Sequence, residues 1–431
     1  MAKISKPSLN RRDLLKGTLA AGTLSLTGPF MPAIAQARTL KLGYVSPKSG
    51  PLALFGQADE FVVRTVMAEL GAGLKVGGKT YPVTIISKDT QSNSNRAAEV
   101  TNELILNDHV DLVLVSSAPE TVNPVSDQCE LNGTPCISTV APWQAWMFNR
   151  GSNPQKGFES TFHFFWGFED IISVFANMWD TITTNRKVGG LFPNDEDGRA
   201  WSDKKNGAPA LLSARNYSVV PSGFFRNLGD DFSAVISTFK DAGCQIVTGA
   251  PLPPDFTTFW TQARQQGFRP KAASIAKAIL FPAAVEALGQ AGHNLSSEIW
   301  WSPSHPFRSS ISGQGARDYA RAYSETTGKQ WTQPVGFAHA LFEVAVDVLK
   351  RAGEPGNSGA TIAAISQTSL QTIVGTVDWK NSAIKNVAKT PLVGGQWRRA
   401  AAGPRAYDLV ITSNQTAREI PVGADFEELT Y

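Results

Sequence analysis

Across 431 residues there are three cysteines and five histidines. Cys129, Cys136 and Cys244 are too few to staple a disulfide scaffold, and no CxxC pair or neighbouring histidine gives them the spacing of a zinc site. His109, His163, His293, His305 and His339 are scattered, and none lies in an HExxH, a GxSxG or another motif with a mechanical reason behind it. The chain is therefore expected not to be an enzyme, and no metal or cofactor is called for. Long apolar runs are missing too. Beyond the N-terminal leader, no segment approaches the roughly 20 apolar residues that a membrane-crossing helix needs. Low-complexity tracts and short-period repeats are absent, which argues against solenoids and disordered linkers.

Charge of one sign is also scarce. The whole chain carries a formal net charge of +3, but the first 37 residues hold five basic side chains (Lys3, Lys6, Arg11, Arg12, Lys16) against Asp13 alone. Without them 35 basic and 36 acidic side chains remain. Nothing in that balance asks for nucleic acid or an anionic membrane as partner.

What the chain does have begins at Asn10-Arg11-Arg12-Asp13-Leu14-Leu15-Lys16, a twin-arginine sequence followed by an uncharged stretch from Gly17 to Met31 and by Ala35-Gln36-Ala37. Charged head, short apolar centre and small-residue cleavage site together form an export signal over residues 1–37, which places the mature chain in the periplasm by the twin-arginine route. The blander reading is a chance basic N-terminus before a disordered tail.

The remaining residues exceed what one hydrophobic core usually organises, so two lobes are expected. Short apolar runs alternate with helical periodicities. Strands are expected at 40–45, 83–87, 111–115 and 136–139, with helices at 58–70, 95–107 and 120–131 between them. Connections this short between alternating elements force parallel strands with helices on both faces. An aromatic-rich stretch at 142–168 reads as irregular and as the first crossing between lobes. A second series then follows, with strands at 188–192, 217–220, 245–248, 272–276 and 298–302 and helices at 169–183, 200–213, 231–242, 255–266 and 281–288. Helices at 315–327 and 335–352 have no strand between them and are assigned to the first lobe. The expected fold class is α/β, two doubly wound lobes joined by a multi-segment hinge. The lobes are expected to comprise 38–160 plus 303–352 and 161–302 plus 353–431.

Val45-Ser46-Pro47-Lys48-Ser49-Gly50-Pro51, Phe55-Gly56 and Asp89-Thr90 resemble the opening of the type I periplasmic solute-binding proteins of ABC transporters, branched-chain amino-acid-binding class. Asn123-Pro124-Val125-Ser126-Asp127 before Pro135-Cys136-Ile137-Ser138, and Asp231-Phe232-Ser233 before Gln245-Ile246-Val247, continue the match in the same order. The resemblance implies two α/β lobes joined by three crossings and closing on a small-molecule ligand. It also implies permease and ATPase subunits of an importer as partners, and a monomer.

In that family three loops after the first-lobe strands meet the ligand, and the second and third hold its carboxylate with backbone N–H groups and hydroxyls. The corresponding stretches are Ser49 to Phe55, Ser116 to Thr121 and Ser138 to Trp143. The resemblance thereby nominates Ser117, Ala118, Ser138, Thr139 and Val140 as donors or neighbours of donors, although Pro119 has no N–H and the Ser138–Pro142 loop is shorter than usual. Capping of the following helices is the ordinary alternative for these hydroxyls. Phe55 matches a position that packs on ligand, and Trp143 and Trp166 lie on loops after cleft strands, where a tryptophan needs something to pack on. Trp179, Trp260 and Trp301 are assigned to core or lobe surface.

In the carboxylate cluster Asp195-Glu196-Asp197, the first two read as a solvated loop, while Asp197 falls where the family has a cleft aromatic. Lys277 takes the place of the acidic residue that pairs a ligand ammonium in amino-acid-binding members. A cation there implies a small carboxylic acid without a free α-amino group, or an acid with a second anionic group, unless Lys277 pairs with Asp197 or another carboxylate and never meets ligand. Cys129 and Cys136 flank a Gly133 turn and form either a disulfide or two buried thiols. Two other functions stay open: a twin-arginine-exported enzyme, and a ligand sensor presented to a membrane receptor.

Overall fold

The computed structural model describes residues 38–431 except Ala402 and Pro404. The first series gives β1 (Leu40–Ser46), a small hairpin of β2 (Leu74–Val76) and β3 (Lys79–Tyr81), then β4 (Val83–Asp89), β5 (Leu112–Ser116), β6 (Cys136–Thr139) and β7 (Thr161–Phe164). The second gives β8 (Lys187–Pro193), β9 (Ser218–Phe225), β10 (Ile246–Gly249), β11 (Ala272–Ile275) and β12 (Ser296–Ile299). The C-terminal part adds the hairpin β13 (Ser369–Thr372) and β14 (Gly375–Asp378), then β15 (Val387–Ala388), β16 (Val393–Arg399) and β17 (Tyr407–Ser413).

Two large sheets result. The first runs β15-β7-β6-β5-β1-β4 with every pairing parallel. The second runs β17-β16-β12-β11-β10-β8-β9, parallel up to β12 and antiparallel where β16 and β17 are added. The central strands β5, β6, β10 and β11 are buried at every residue, as strands covered on both faces by helices must be. Helix Pro334–Ala352 is buried nearly all round because it packs against the first sheet and against helices Asp59–Leu70 and Ser358–Ser366. Helix Ala316–Thr327 packs in turn against it and against helix Asp59–Leu70.

The lobe boundaries differ from the expected ones. β7 and β15 both join the first sheet, and the segment from helix Ser358–Ser366 to β15 packs there too, held in part by Arg351 Nη1 donating to Ala364 O at 2.7 Å. The crossings are the links 165–167 after β7, 300 onward after β12, and 389–392 between β15 and β16. The stretch 142–168, expected to be irregular, contains helix Trp143–Phe148 and β7; Gly151, Asn153 and Pro154 between them mask the short Thr-Phe-His-Phe strand. Helix 200–213 is broken into Glu196–Trp201 and Ala208–Ser213, because the Asp203 carboxylate accepts from the backbone N–H of Lys205 and Asn206 and stabilises a turn instead. Residues 1–37, read as a twin-arginine leader, lie outside the described residues. Among the described residues, no helix is long and apolar enough to cross a membrane.

Candidate functional site

Parallel strands of both sheets end at the gap between the lobes, and their following loops and helix starts face one another there. After β8, Asp195 caps the helix Glu196–Trp201. Its carboxylate accepts from Gly198 N at 2.7 Å and from Asn227 Nδ2 at 2.8 Å. This cap turns Asp197 inward, where it is almost fully buried. After β11 the chain puts Lys277 into the left-handed region at φ 62°, and after β6 it does the same to Val140 at φ 71°. A lysine and a β-branched residue held so cost on the order of 1–3 kcal/mol each, and such strain collects where function over-determines geometry.

Lys277 Nζ lies 2.6 Å from Glu120 Oε1, 3.3 Å from Asp197 Oδ2 and 3.9 Å from Asp195 Oδ2. Glu120 comes from the first lobe and the other three residues from the second, so the cluster bridges the gap. Burial alone would lower the lysine, but the three carboxylates outweigh it and hold the ammonium well above its ordinary range. One lysine cannot satisfy three carboxylates. Asp195, with two further donors, stays low; Glu120 is raised to about 7 and Asp197 to about 6, each by burial opposed by Lys277 and reinforced by its acidic neighbours. Glu298 on β12 accepts from Ser297 Oγ at 2.8 Å and is raised by burial to about 8. Asp197 Oδ1 and Glu120 Oε2 are buried without a hydrogen-bond partner among the described residues.

Beside this cluster lies a cavity lined from the first lobe by Phe55, Ala118, Pro119, Val140 and Pro142. From the crossings come Phe165, Trp166 and Trp300, and from the second lobe Asp197, Trp201, Ala276, Lys277, Leu280 and Glu298. Its free volume is about 30 Å³, room for little more than one water. The lobes are closed on each other around it. Phe55 meets Phe281 edge-on at 4.9 Å, and Asn123 Nδ2 donates to Glu196 Oε2 at 3.0 Å across the gap.

Of the ten positions nominated from sequence, Phe55, Ala118, Val140, Trp166, Asp197 and Lys277 line this cavity. The others do not. Ser117 is buried behind it. The Thr139 hydroxyl donates to Phe164 O at 2.6 Å. Ser138 Oγ sits 2.8 Å from His163 Nδ1 and 3.1 Å from Phe162 O. Burial pushes His163 down to about 3, so its ring is neutral, and Nε2, 2.7 Å from Ala141 O, must carry the proton. Nδ1 is then an acceptor, and the Ser138 proton is directed at it rather than at the cavity. Trp143 turns the other way, donating to Glu169 Oε1 at 3.0 Å and packing on Phe148. Glu196 and Asp195, expected in a solvated loop, are instead engaged across and beside the gap. Lys277 is engaged in ion pairs and also lines the cavity; with the neighbouring carboxylates it no longer presents a free positive charge to an anion. Cys129 and Cys136 are free, buried thiols; burial and a hydrogen bond donated to Cys136 raise Cys129.

Eight residues that line the cavity were not nominated, among them Phe165, Trp201, Glu298 and Trp300. Glu298 had a visible signal, a charge in the middle of the buried strand Ser296–Ile299. Trp300 and Phe165 had none, because adjacent tryptophans and phenylalanines in a crossing alternate between cavity and core, and only tertiary packing says which is which. Trp179, Trp260 and Trp301 are fully buried, as assigned.

The sequence pattern described as "periplasmic binding protein" matches residues 39–402. Among solved structures, a leucine-binding protein from Thermotoga maritima superposes with a TM-score of 0.70 at 18% identity, covering 86% of this chain and 97% of that one. A branched-chain amino-acid transporter substrate-binding protein from Streptococcus pneumoniae, in complex with isoleucine, gives 0.66 at 16% identity over 87% and 100%. An ABC-transporter solute-binding protein from Rhodopseudomonas palustris, in complex with 3,4-dihydroxybenzoic acid, gives 0.68 at 16% identity over 89% and 99%. No curated protein matches the sequence.

Proposed function

The chain belongs to the periplasmic binding protein family, and on that premise we propose that it is the extracytoplasmic receptor of an ABC importer, capturing a small solute between two closing lobes. The observation that carries this reading is the interlobe cavity, walled by both sheets at the carboxyl ends of their strands and by two of the three crossings. Crossings that supply walls couple occupancy to lobe angle: a ligand that touches Trp166, Trp300, Phe55 and Asp197 together stabilises the closed form over the open one. The permease and ATPase subunits would read that closed form. Within this reading the site consists of Phe55, Ala118, Val140, Trp166, Asp197 and Lys277, joined by Trp201, Glu298 and Trp300. Ser117 stands behind it and Ser138 and Thr139 support it, while Trp143 braces the first crossing. Export by the twin-arginine route, supported by Arg11-Arg12 and the stretch after it, completes the proposal, with the protein acting as a monomer in the periplasm.

Native mass spectrometry on gently purified protein tests the reading, followed by thermal melts with the compound found. A ligand at 100 times its Kd adds about 2.7 kcal/mol to stability, a readily measured rise in Tm. A protein that carries no small molecule and whose melting responds to none would refute the receptor function. Turnover of a bound compound would favour an exported enzyme instead.

A further inference from the structure

The cavity's chemistry narrows what it can hold. Among the described residues that line it, Lys277 is the one cation, and its ammonium is engaged by Glu120, Asp197 and Asp195. Three carboxylates around one lysine leave the cluster with excess negative charge, and Asp197 Oδ1, on a side chain 4% exposed, has no partner. The devices for an anion are diminished. Ser138 and Thr139 direct their hydroxyl protons at His163 and Phe164 O, and loop positions 119 and 142 are prolines without an N–H. The aromatic side chains Phe55, Trp166, Trp201 and Trp300 line the same cavity as Asp197, and the two crossing tryptophans also bury indole N–H groups without a partner.

Resting on the receptor reading above, we propose that the cleft selects a small organic cation. Its positively charged nitrogen sits against the Asp197 carboxylate and the aromatic wall, and an uncharged oxygen accepts from the indole N–H of Trp166 or Trp300. A desolvated cation over tryptophan faces gains from the ring quadrupole, and the unpartnered carboxylate oxygen gains a donor or a counter-charge. An anion in the same place would meet excess negative charge and no free cation. The closed cavity has room for little more than one water, so the lobes must part further to admit such a cation.

The groups that titrate around the ligand are Glu120 from helix Pro119–Leu131, Asp195 and Asp197 at the start of helix Glu196–Trp201, Lys277 after β11, Glu298 on β12, and Asp255 on helix Pro253–Gln265. A bound cation competes with protons for the carboxylates among them, so its affinity should rise with pH. An anion's affinity should fall.

Calorimetric titration of the full chain with ethanolamine, choline and tetramethylammonium, and with benzoate and isoleucine as counter-probes, tests the class. At least one cation should bind, at least tenfold tighter at pH 7.5 than at pH 5.5, and Asp197→Asn should weaken it tenfold or more. Should that variant fail to fold, the pH dependence of the unaltered protein and Trp300→Phe, which removes an indole donor and keeps a ring, carry the test. Binding of benzoate or isoleucine with every cation inert, or cation binding that tightens as pH falls, would overturn the ligand class and leave the receptor reading standing. If no probe of either class binds and the purified protein holds no solute, both fail.

Discussion

Lys277 shows how one side chain changes meaning between sequence and structure. In the sequence it is an isolated cation where related proteins carry an acid; in the structure it is the counter-ion that lets Glu120, Asp195 and Asp197 share one buried spot. Lys277→Ala should therefore destabilise the protein by about 3–5 kcal/mol at pH 7.5, the usual cost of stranding buried charge. Chemical denaturation checks this. The loss should shrink at pH 5, because carboxylates already raised to about 6 and 7 take up protons when their counter-ion is gone. An equal loss at both pH values would show that packing, not charge, is at stake. Ser138 makes the opposite point: a hydroxyl that looks like a ligand donor serves a buried histidine. Ser138→Ala should cost about 1–3 kcal/mol by leaving His163 Nδ1 unpaired, with ligand affinity unchanged within twofold in titration calorimetry.

Elements with strong periodicity or unbroken apolar runs stand where the sequence puts them: β1, β5, β6, helix Asp59–Leu70 and helix Pro334–Ala352 all follow from pattern alone. Short elements beside turn-rich segments do not. β7 hides behind Gly151 to Gly157, and the break at Asp203–Gly207 comes from local side-chain bonds that compete with the helix. The leader is the element whose test needs no structure. Replacing Arg11 and Arg12 together by Lys keeps the charge but removes what the export receptor reads, so precursor should accumulate in the cytoplasm, as cell fractionation would show. Normal periplasmic yield of the double variant would dismiss the twin-arginine route.

Buried titratable groups are distributed over both lobes, and their shifts set how the molecule responds to pH. Burial raises Glu298 to about 8 and Glu343 and Glu120 to about 7, while it lowers His163, His305 and His339 to about 3. A raised carboxyl contributes stability below its unfolded pKa that is lost as pH rises through the folded value. A lowered histidine contributes stability above pH 6.5 that is lost on acidification. Below pH 6.5 the two sets oppose each other. Between pH 6.5 and 8.5 the histidine contribution is constant and the carboxyls alone act, so Tm should decline over that window. Glu298→Gln should flatten the upper part of the decline in thermal melts, and a Tm that rises over the window would show that these carboxyls are not protonated in the folded state.

Alternation of short strands and helices, with connections too short for anything but parallel pairing, was enough to give two doubly wound lobes and to send attention to the loops after their strands, since both follow from chain geometry that any tertiary arrangement must respect. The ten nominated residues came mainly from the family resemblance, and six of them line the cavity. The assignment of β7, β15 and the segment between helix Ser358–Ser366 and β15 to the first lobe was beyond chain geometry alone, because a strand joins whichever sheet edge its hydrogen bonds reach, and local pattern is silent about that. Nor could local pattern say that Ser138 and Thr139 turn away from the cavity, that Trp300 faces it, or that Glu120 crosses the gap to Lys277. Each depends on residues far apart in the chain: the two hydroxyls on the pairing of β6 with β7 inside the first sheet, the place of Trp300 on how a crossing packs, and the Glu120–Lys277 contact on the closing of the lobes.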